Sequence, residues 1–146
     1  MTSTTAQPTC RERWAEHKRS RMADLRRLWA AYQRDPEESV PDLGTLNEYG
    51  MSFDYVAPDT FKGQPRGYWR YQLSWGGPSD EIRLYGEVTQ EYGGLSIDRI
   101  EYAFLDWFDG HSRALVGRDA VLVREIMTDF QECGTLWHTR AKSVED

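Results

Sequence analysis

The residue types best suited to chemistry fall together in the run Asp106-Trp107-Phe108-Asp109-Gly110-His111. Two carboxylates and an imidazole at a strand end are groups that share a proton or ligate a metal. A metal site needs three or four converging ligands, and the other histidines, His17 and His138, bring no second motif. Asp109-Gly110 also reads as turn chemistry, with Asp106 bonded to backbone or to an arginine. No phosphate loop, dinucleotide fingerprint, zinc-ligand spacing or nucleophile elbow occurs. Gly76-Gly77-Pro78-Ser79 has a proline where a phosphate cradle needs an amide donor, so it reads as a hairpin turn. The chain is therefore expected to be non-enzymatic, without cofactor or metal. The alternative is a small enzyme using Asp106, Asp109 and His111.

Carboxylates form the second set of candidates. Glu125, Asp129 and Glu132 follow i, i+4, i+7 spacing and make one stripe on an expected helix. Glu81 and Glu87 share the face of an expected strand, and Glu101 lies on the next one. Like charges on adjacent helical turns cost a few tenths of a kcal/mol per pair, roughly, which a basic partner would offset. Glu81, Glu87, Glu101, Glu125, Asp129 and Glu132 are the expected partner-binding residues, with Tyr85 and Trp107 as exposed aromatic anchors. Solubility alone is the competing explanation. Trp69, Tyr71 and Trp75 could stack bases, but stacking also needs a basic groove, and Glu81, Glu87, Glu91 and Glu101 lie nearby; core packing is expected instead.

The elements that must position these groups follow from hydrophobic period. Residues 1–10 are expected to be a disordered tail. Residues 11–34 carry Trp14, Met22, Leu25, Leu28, Trp29 and Tyr32 at helical steps, with Arg11, Arg13, Lys18, Arg19, Arg26 and Arg27 opposite. That basic face is either solvated or docks on acid, including the acidic body of the same chain. Asp35-Pro36 ends the helix. Strand alternation begins with Tyr49, Met51, Phe53 and Tyr55, and continues through Trp69, Tyr71, Leu73 and Trp75. A third strand, about Glu81 to Thr89, carries Ile82, Leu84, Gly86 and Val88. The fourth, Ile97 to Phe108, puts Ile100, Tyr102, Phe104 and Phe108 on one face and is expected to be central. Short loops between consecutive strands force an antiparallel meander. Arg118 to Cys133 is a second helix, with Gly134 as its stop and a fraying polar tail after Trp137. The expected fold is α+β: N-terminal helix, four-stranded antiparallel β-meander, and C-terminal helix packed on the sheet. Residues 11–146 form one domain with its core in 45–134.

The 146-residue chain has a formal net charge of −6. Residues 1–40 hold eight basic against six acidic side chains, and residues 41–146 hold ten against eighteen. An acidic body disfavours direct nucleic acid as the main partner and suits a basic protein surface. No apolar run approaches membrane length and no signal-like segment opens the chain, so a cytoplasmic protein without a membrane partner is expected, as a monomer or homodimer. Cys10 and Cys133 lie at opposite ends and are not expected to pair.

The segment from Tyr68 to Gly110, with Trp75-Gly76-Gly77-Pro78-Ser79-Asp80-Glu81 and Ile100 through Gly110, resembles a family of small proteins carried by bacterial mobile elements. The resemblance covers about the middle third of the chain and brings no catalytic residues. It implies an anti-CRISPR or antirestriction setting: an acidic interaction protein, with nucleic-acid mimicry as one form of it, that blocks a host nucleic-acid-handling defence complex. A structural or immunity-type partner of a basic protein is the remaining alternative.

Overall fold

Thr9 starts the first helix by accepting the Glu12 amide on its hydroxyl at 3.2 Å. The computed structural model describes residues 8–145, so the expected tail lies outside the described residues as far as residue 7. Helix α1 spans Cys10–Arg34 and buries Cys10, Trp14, Met22, Leu25, Leu28 and Ala31. It stops at Asp35, because the residue before a proline avoids helical geometry. A single-turn helix, α2 (Leu46–Tyr49), follows under a capping box between Thr45 and Glu48.

Five strands come next: β1 (Ser52–Val56), β2 (Tyr68–Ser74), β3 (Pro78–Val88), β4 (Leu95–Asp106) and β5 (Asp109–Ala114). They pair antiparallel in the order β1-β2-β3-β4-β5. The chain is therefore an α+β protein with an antiparallel meander and helices at both ends, but the sheet has five strands where four were expected. The additional one, β5, has no apolar alternation. It is held by its ladder to β4, from Glu101 opposite Ala114 to Asp106 opposite Asp109, and by His111 and Arg113 packing on the Trp14 ring. In consequence β4, which carries most of the Ile97–Phe108 run, is an interior strand between β3 and β5, and β3 is the middle one of the five.

Helix α3 (Gly117–Glu132) is followed at once by α4 (Thr135–Glu145), where a fraying tail was expected. Gly134, at φ +82°, makes the turn between them; a Cβ there would lie 2.9 Å from the His138 ring and 3.1 Å from the Glu91 carbonyl. α4 buries Leu136, whose carbonyl accepts the Trp69 indole N–H at 2.9 Å. The fully buried Gln131 amide donates to the carbonyls of Gln90, Glu91 and Gly93 and accepts the Trp137 amide, tying the β3–β4 loop to the α3–α4 junction. Among the described residues no helix is long and apolar enough to cross a membrane.

The helices cover one face of the sheet, formed by Trp69, Tyr71, Leu73, Ile82, Leu84, Ile100, Tyr102 and Phe104. Alternation misplaces residues at strand ends: Tyr49 lies in α2, and Met51 precedes β1 and is exposed. Trp75 lies beyond a register shift between Gln72 and Ser74 and is exposed, and Phe108 sits past the end of β4 and is fully exposed.

The basic helix docks on its own acidic body. Arg13 reaches Asp106 at 2.8 Å, while Lys18 and Arg26 both reach Asp119 in the first turn of α3, at 2.7 and 2.6 Å. The most buried of these contacts joins Arg21 to Asp80 at 2.6 and 3.0 Å, and Asp80 also accepts the hydroxyls of Ser74 and Tyr102. Arg21 further donates to the Tyr49 hydroxyl, which donates to Asp24. Burial pushes the Asp80 carboxyl up, but the hydrogen bonds from Arg21, Ser74 and Tyr102 outweigh it and hold the group below the ordinary 3.8.

Removing one member of a buried pair strands the other, so Asp80→Ala is expected to lower the urea unfolding free energy by about 3–5 kcal/mol; a loss under about 1 kcal/mol would deny the pair a structural role. The folded Asp80 binds its proton less readily than the unfolded one. Its stabilisation is thus complete at neutral pH and disappears as the solution is acidified below 3.8 and through the folded value. Urea midpoints measured down that range should fall in the parent and change less in Asp80→Asn. Phe104→Ala, which empties a site 2 % exposed, should cost about 3–5 kcal/mol in the same measurement.

Candidate interaction surface

Asp106 and Asp109 pair across a two-residue turn, and that turn is Trp107-Phe108. Trp107 has φ +55° and is 82 % exposed. The left-handed conformation costs a non-glycine residue roughly 1–2 kcal/mol, and hairpin turns normally place Gly, Asn or Asp there. The neighbouring β2–β3 turn carries exposed Trp75, and a Cβ added to its Gly77 would lie 3.4 Å from the Trp107 indole nitrogen. Trp75, Trp107 and Phe108 thus gather large aromatic surface at one end of the sheet.

The polar groups beneath this tip serve the fold. Asp106 binds Arg13, and its second oxygen, Oδ1, is buried without a hydrogen-bond partner. Asp109 accepts the Cys10 amide at 2.8 Å, capping α1, and that hydrogen bond leads in holding its carboxyl below the usual range. His111 lies edge-on to Trp14 and accepts the Arg113 Nε–H on its own Nε2 at 2.9 Å. The three side chains that could have formed an acid–base or metal cluster are each engaged with a different partner. Among the described residues no three His, Cys, Asp or Glu side chains gather as a metal-holding group, and Cys10 and Cys133 are free thiols.

The sheet face opposite the helices holds Tyr85 and Glu101, with Glu81 at its floor. Glu81 is not a free carboxylate as expected. It is 3 % exposed and accepts Arg83 Nε at 2.8 Å. Strand parity places it on the polar face, yet that face forms a cleft beside the loop of residues 57–67, where Arg70 and Arg83 flank Glu81. Glu101 is half-buried and accepts Tyr85, Ser112 and Arg99. Tyr85 is half-buried too, and burial followed by the Glu101 charge pushes its hydroxyl up to about 12. Glu87 remains exposed, past a register shift at Tyr85/Gly86, with Arg140 of α4 at 3.5 Å.

The stripe on α3 runs along the seam with α1 and is only partly free. Glu125 accepts the Trp29 indole N–H at 3.2 Å, and the nearby Asp129 carboxylate is the leading cause that raises the Tyr32 hydroxyl to about 12. Glu132 is exposed. The expected site residues therefore divide among a cleft, a seam and a tip, and do not form one continuous acidic face. Trp75 and Phe108 were missed as surface residues because alternation assigned them to the core. The available signal was Asp106 and Asp109 bounding a two-residue gap, the length of a tight hairpin turn. Comparison with protein-family models, curated proteins and solved structures finds no match.

Changing Glu125, Asp129 and Glu132 together to Lys removes the Trp29–Glu125 hydrogen bond to α1 and the Asp129 carboxylate beside Tyr32, as well as negative charge. The triple variant is expected to lose about 1–2 kcal/mol of stability in urea. An unchanged midpoint would mean the seam contacts contribute nothing in solution.

Proposed function

We propose that this chain is a non-enzymatic interaction protein that seats the Trp75–Trp107–Phe108 end of its sheet in an apolar pocket of a protein partner. The observation that carries this reading is Trp107, a bulky ring held in left-handed backbone and left 82 % in solvent. Conformational cost and exposed apolar surface coincide there with little packing inside the chain to offset them, and such outliers persist where a binding role retains them. Tryptophan and phenylalanine on a short rigid turn are low-entropy anchors for the centre of an interface. The net charge of −6 favours a partner whose rim is basic. The resemblance of residues 68–110 to proteins of mobile elements points the same way, toward a basic nucleic-acid-handling complex whose nucleic-acid site is blocked by the bound chain. The acidic surface then steers the encounter while the aromatic tip sets the lifetime of the complex.

The test separates the tip from the fold. Trp107→Gly relieves the left-handed backbone and is expected to unfold within about 1 kcal/mol of the parent, or later. The same variant, combined with Phe108→Ser, should lose retention of the partner from bacterial lysate by tenfold or more. A photoreactive benzophenone side chain at position 108 should crosslink to that partner. If the double variant retains the same proteins as the parent, and the crosslinker at 108 captures none, the tip is not the docking surface. Crosslinking of the chain to itself would identify a second copy as the occupant.

A further inference from the structure

The cleft on the open sheet face has the wrong charge for this protein. Its lining includes Lys62, Arg66, Arg70 and Arg83, and Glu81 is its one carboxylate. Four of the ten basic side chains of residues 41–146 therefore converge where that segment carries eighteen acidic ones. Arg66 and Arg70 do pair with Asp98 and Asp54, but those aspartates are 58 % and 47 % exposed, and ion pairs so open to water are weak enough for a bound anion to displace. Lys62 makes no ion pair among the described residues.

The cleft also offers rings and one directed acceptor. Tyr68 and Tyr85 lie 5.5 Å apart, with the Arg83 guanidinium 5.2 Å from the first ring and that of Arg66 5.4 Å from the second. Phe61 faces the same space from the loop and is 52 % exposed. Glu81 Oε2 is taken by Arg83, and no donor among the described residues reaches Oε1. The loop is braced from within: the Gln64 amide accepts the Thr60 and Phe61 N–H groups and donates to the Ala57 and Arg66 carbonyls. The opening is thus preformed, and its volume of about 480 Å³ matches a small ligand.

We infer that this cleft binds a nucleotide: a phosphate at Lys62 and Arg66, a planar base against Phe61 and Tyr85, and a base N–H donating to Glu81 Oε1. Phosphate suits the cations and guanidinium groups. A flat ring suits a site walled by aromatic and guanidinium planes. A cleft-lining carboxylate with one oxygen that takes no protein donor among the described residues selects a donor on that ring over an acceptor. The nucleotide can be free or lie within a single strand, and this inference does not depend on the aromatic tip.

Calorimetric titration of the full chain at low salt, with guanosine monophosphate, guanosine, inorganic phosphate and a five-nucleotide single-stranded RNA, tests it. The monophosphate should bind at one site at least tenfold more tightly than either guanosine or phosphate. Lys62→Glu with Arg66→Glu should abolish that binding, and Arg118→Glu, on α3, should leave it within twofold. Glu81→Gln should reduce the preference for the monophosphate over phosphate by fivefold or more; where that buried variant does not fold, Phe61→Ser must produce the same loss. RNA binding tenfold above the monophosphate would identify a strand as the source, and equal or weaker binding a free nucleotide. Equal affinity for phosphate and monophosphate, or no heat from the monophosphate at millimolar concentration, overturns the inference.

Discussion

The ion pair between Arg21 and Asp80 is the contact on which the rest of the architecture hangs. Asp80 is 2 % exposed and accepts four hydrogen bonds, two from Arg21 and one each from Ser74 and Tyr102. A carboxylate so buried is tolerable only when it is paired and its lone pairs are filled. The donors come from α1, the end of β2 and the middle of β4, so the charge forces these three elements into one arrangement with β3. Once α1 has that position, Arg13 faces Asp106, and Lys18 and Arg26 face Asp119. The excess of basic charge in the first 40 residues is thereby largely spent on the excess of acid that follows.

What could be read from the sequence was what packing makes periodic. The apolar stripe of α1, the alternation through β2, β3 and β4, and the turn at Gly76-Gly77 all reflect one covered face and one open one. β5 escaped because Asp109-Gly110-His111-Ser112-Arg113-Ala114 is an edge strand whose covered face consists of a histidine and an arginine laid on Trp14. α4 escaped because Leu136 is its one buried large apolar residue and its anchors are hydrogen bonds to Trp69 and Gln131. Such anchors belong to residues far away in sequence and leave no local period.

The candidate sites were less legible than the fold for a related reason. Alternation tells which face a residue occupies but not where a strand ends, so Trp75 and Phe108 were assigned inward one and two steps beyond the last paired residues, Ser74 and Asp106. For Glu81 the face was right and the environment wrong, because a loop from 57 to 67 turns a polar sheet face into a cleft. The docking of α1 was among the expected alternatives, since its cations and the acidic body were both visible. Choosing between self-docking and solvation required the positions of Asp80, Asp106 and Asp119 in space.

The same ion pairs set a timetable for synthesis. α1 precedes its partners Asp80, Asp106 and Asp119 by 59, 93 and 101 residues along the chain. At translation speeds of about 5–20 residues per second, the helix exists for roughly 5–20 seconds before its last counter-charge is made. During that interval its counter-charges arrive one at a time, Asp80 first and Asp119 last. The five strands, each paired with its neighbour in sequence, are complete by Ala114, but closure of α1 against Asp119 must await α3. A chain stalled short of Asp119 is a chemically different object, a cationic amphipathic helix tethered to a sheet that α3 does not yet cover, open to proteases and to chaperones that grip exposed apolar segments. In the finished chain the apolar stripe of α1 is covered.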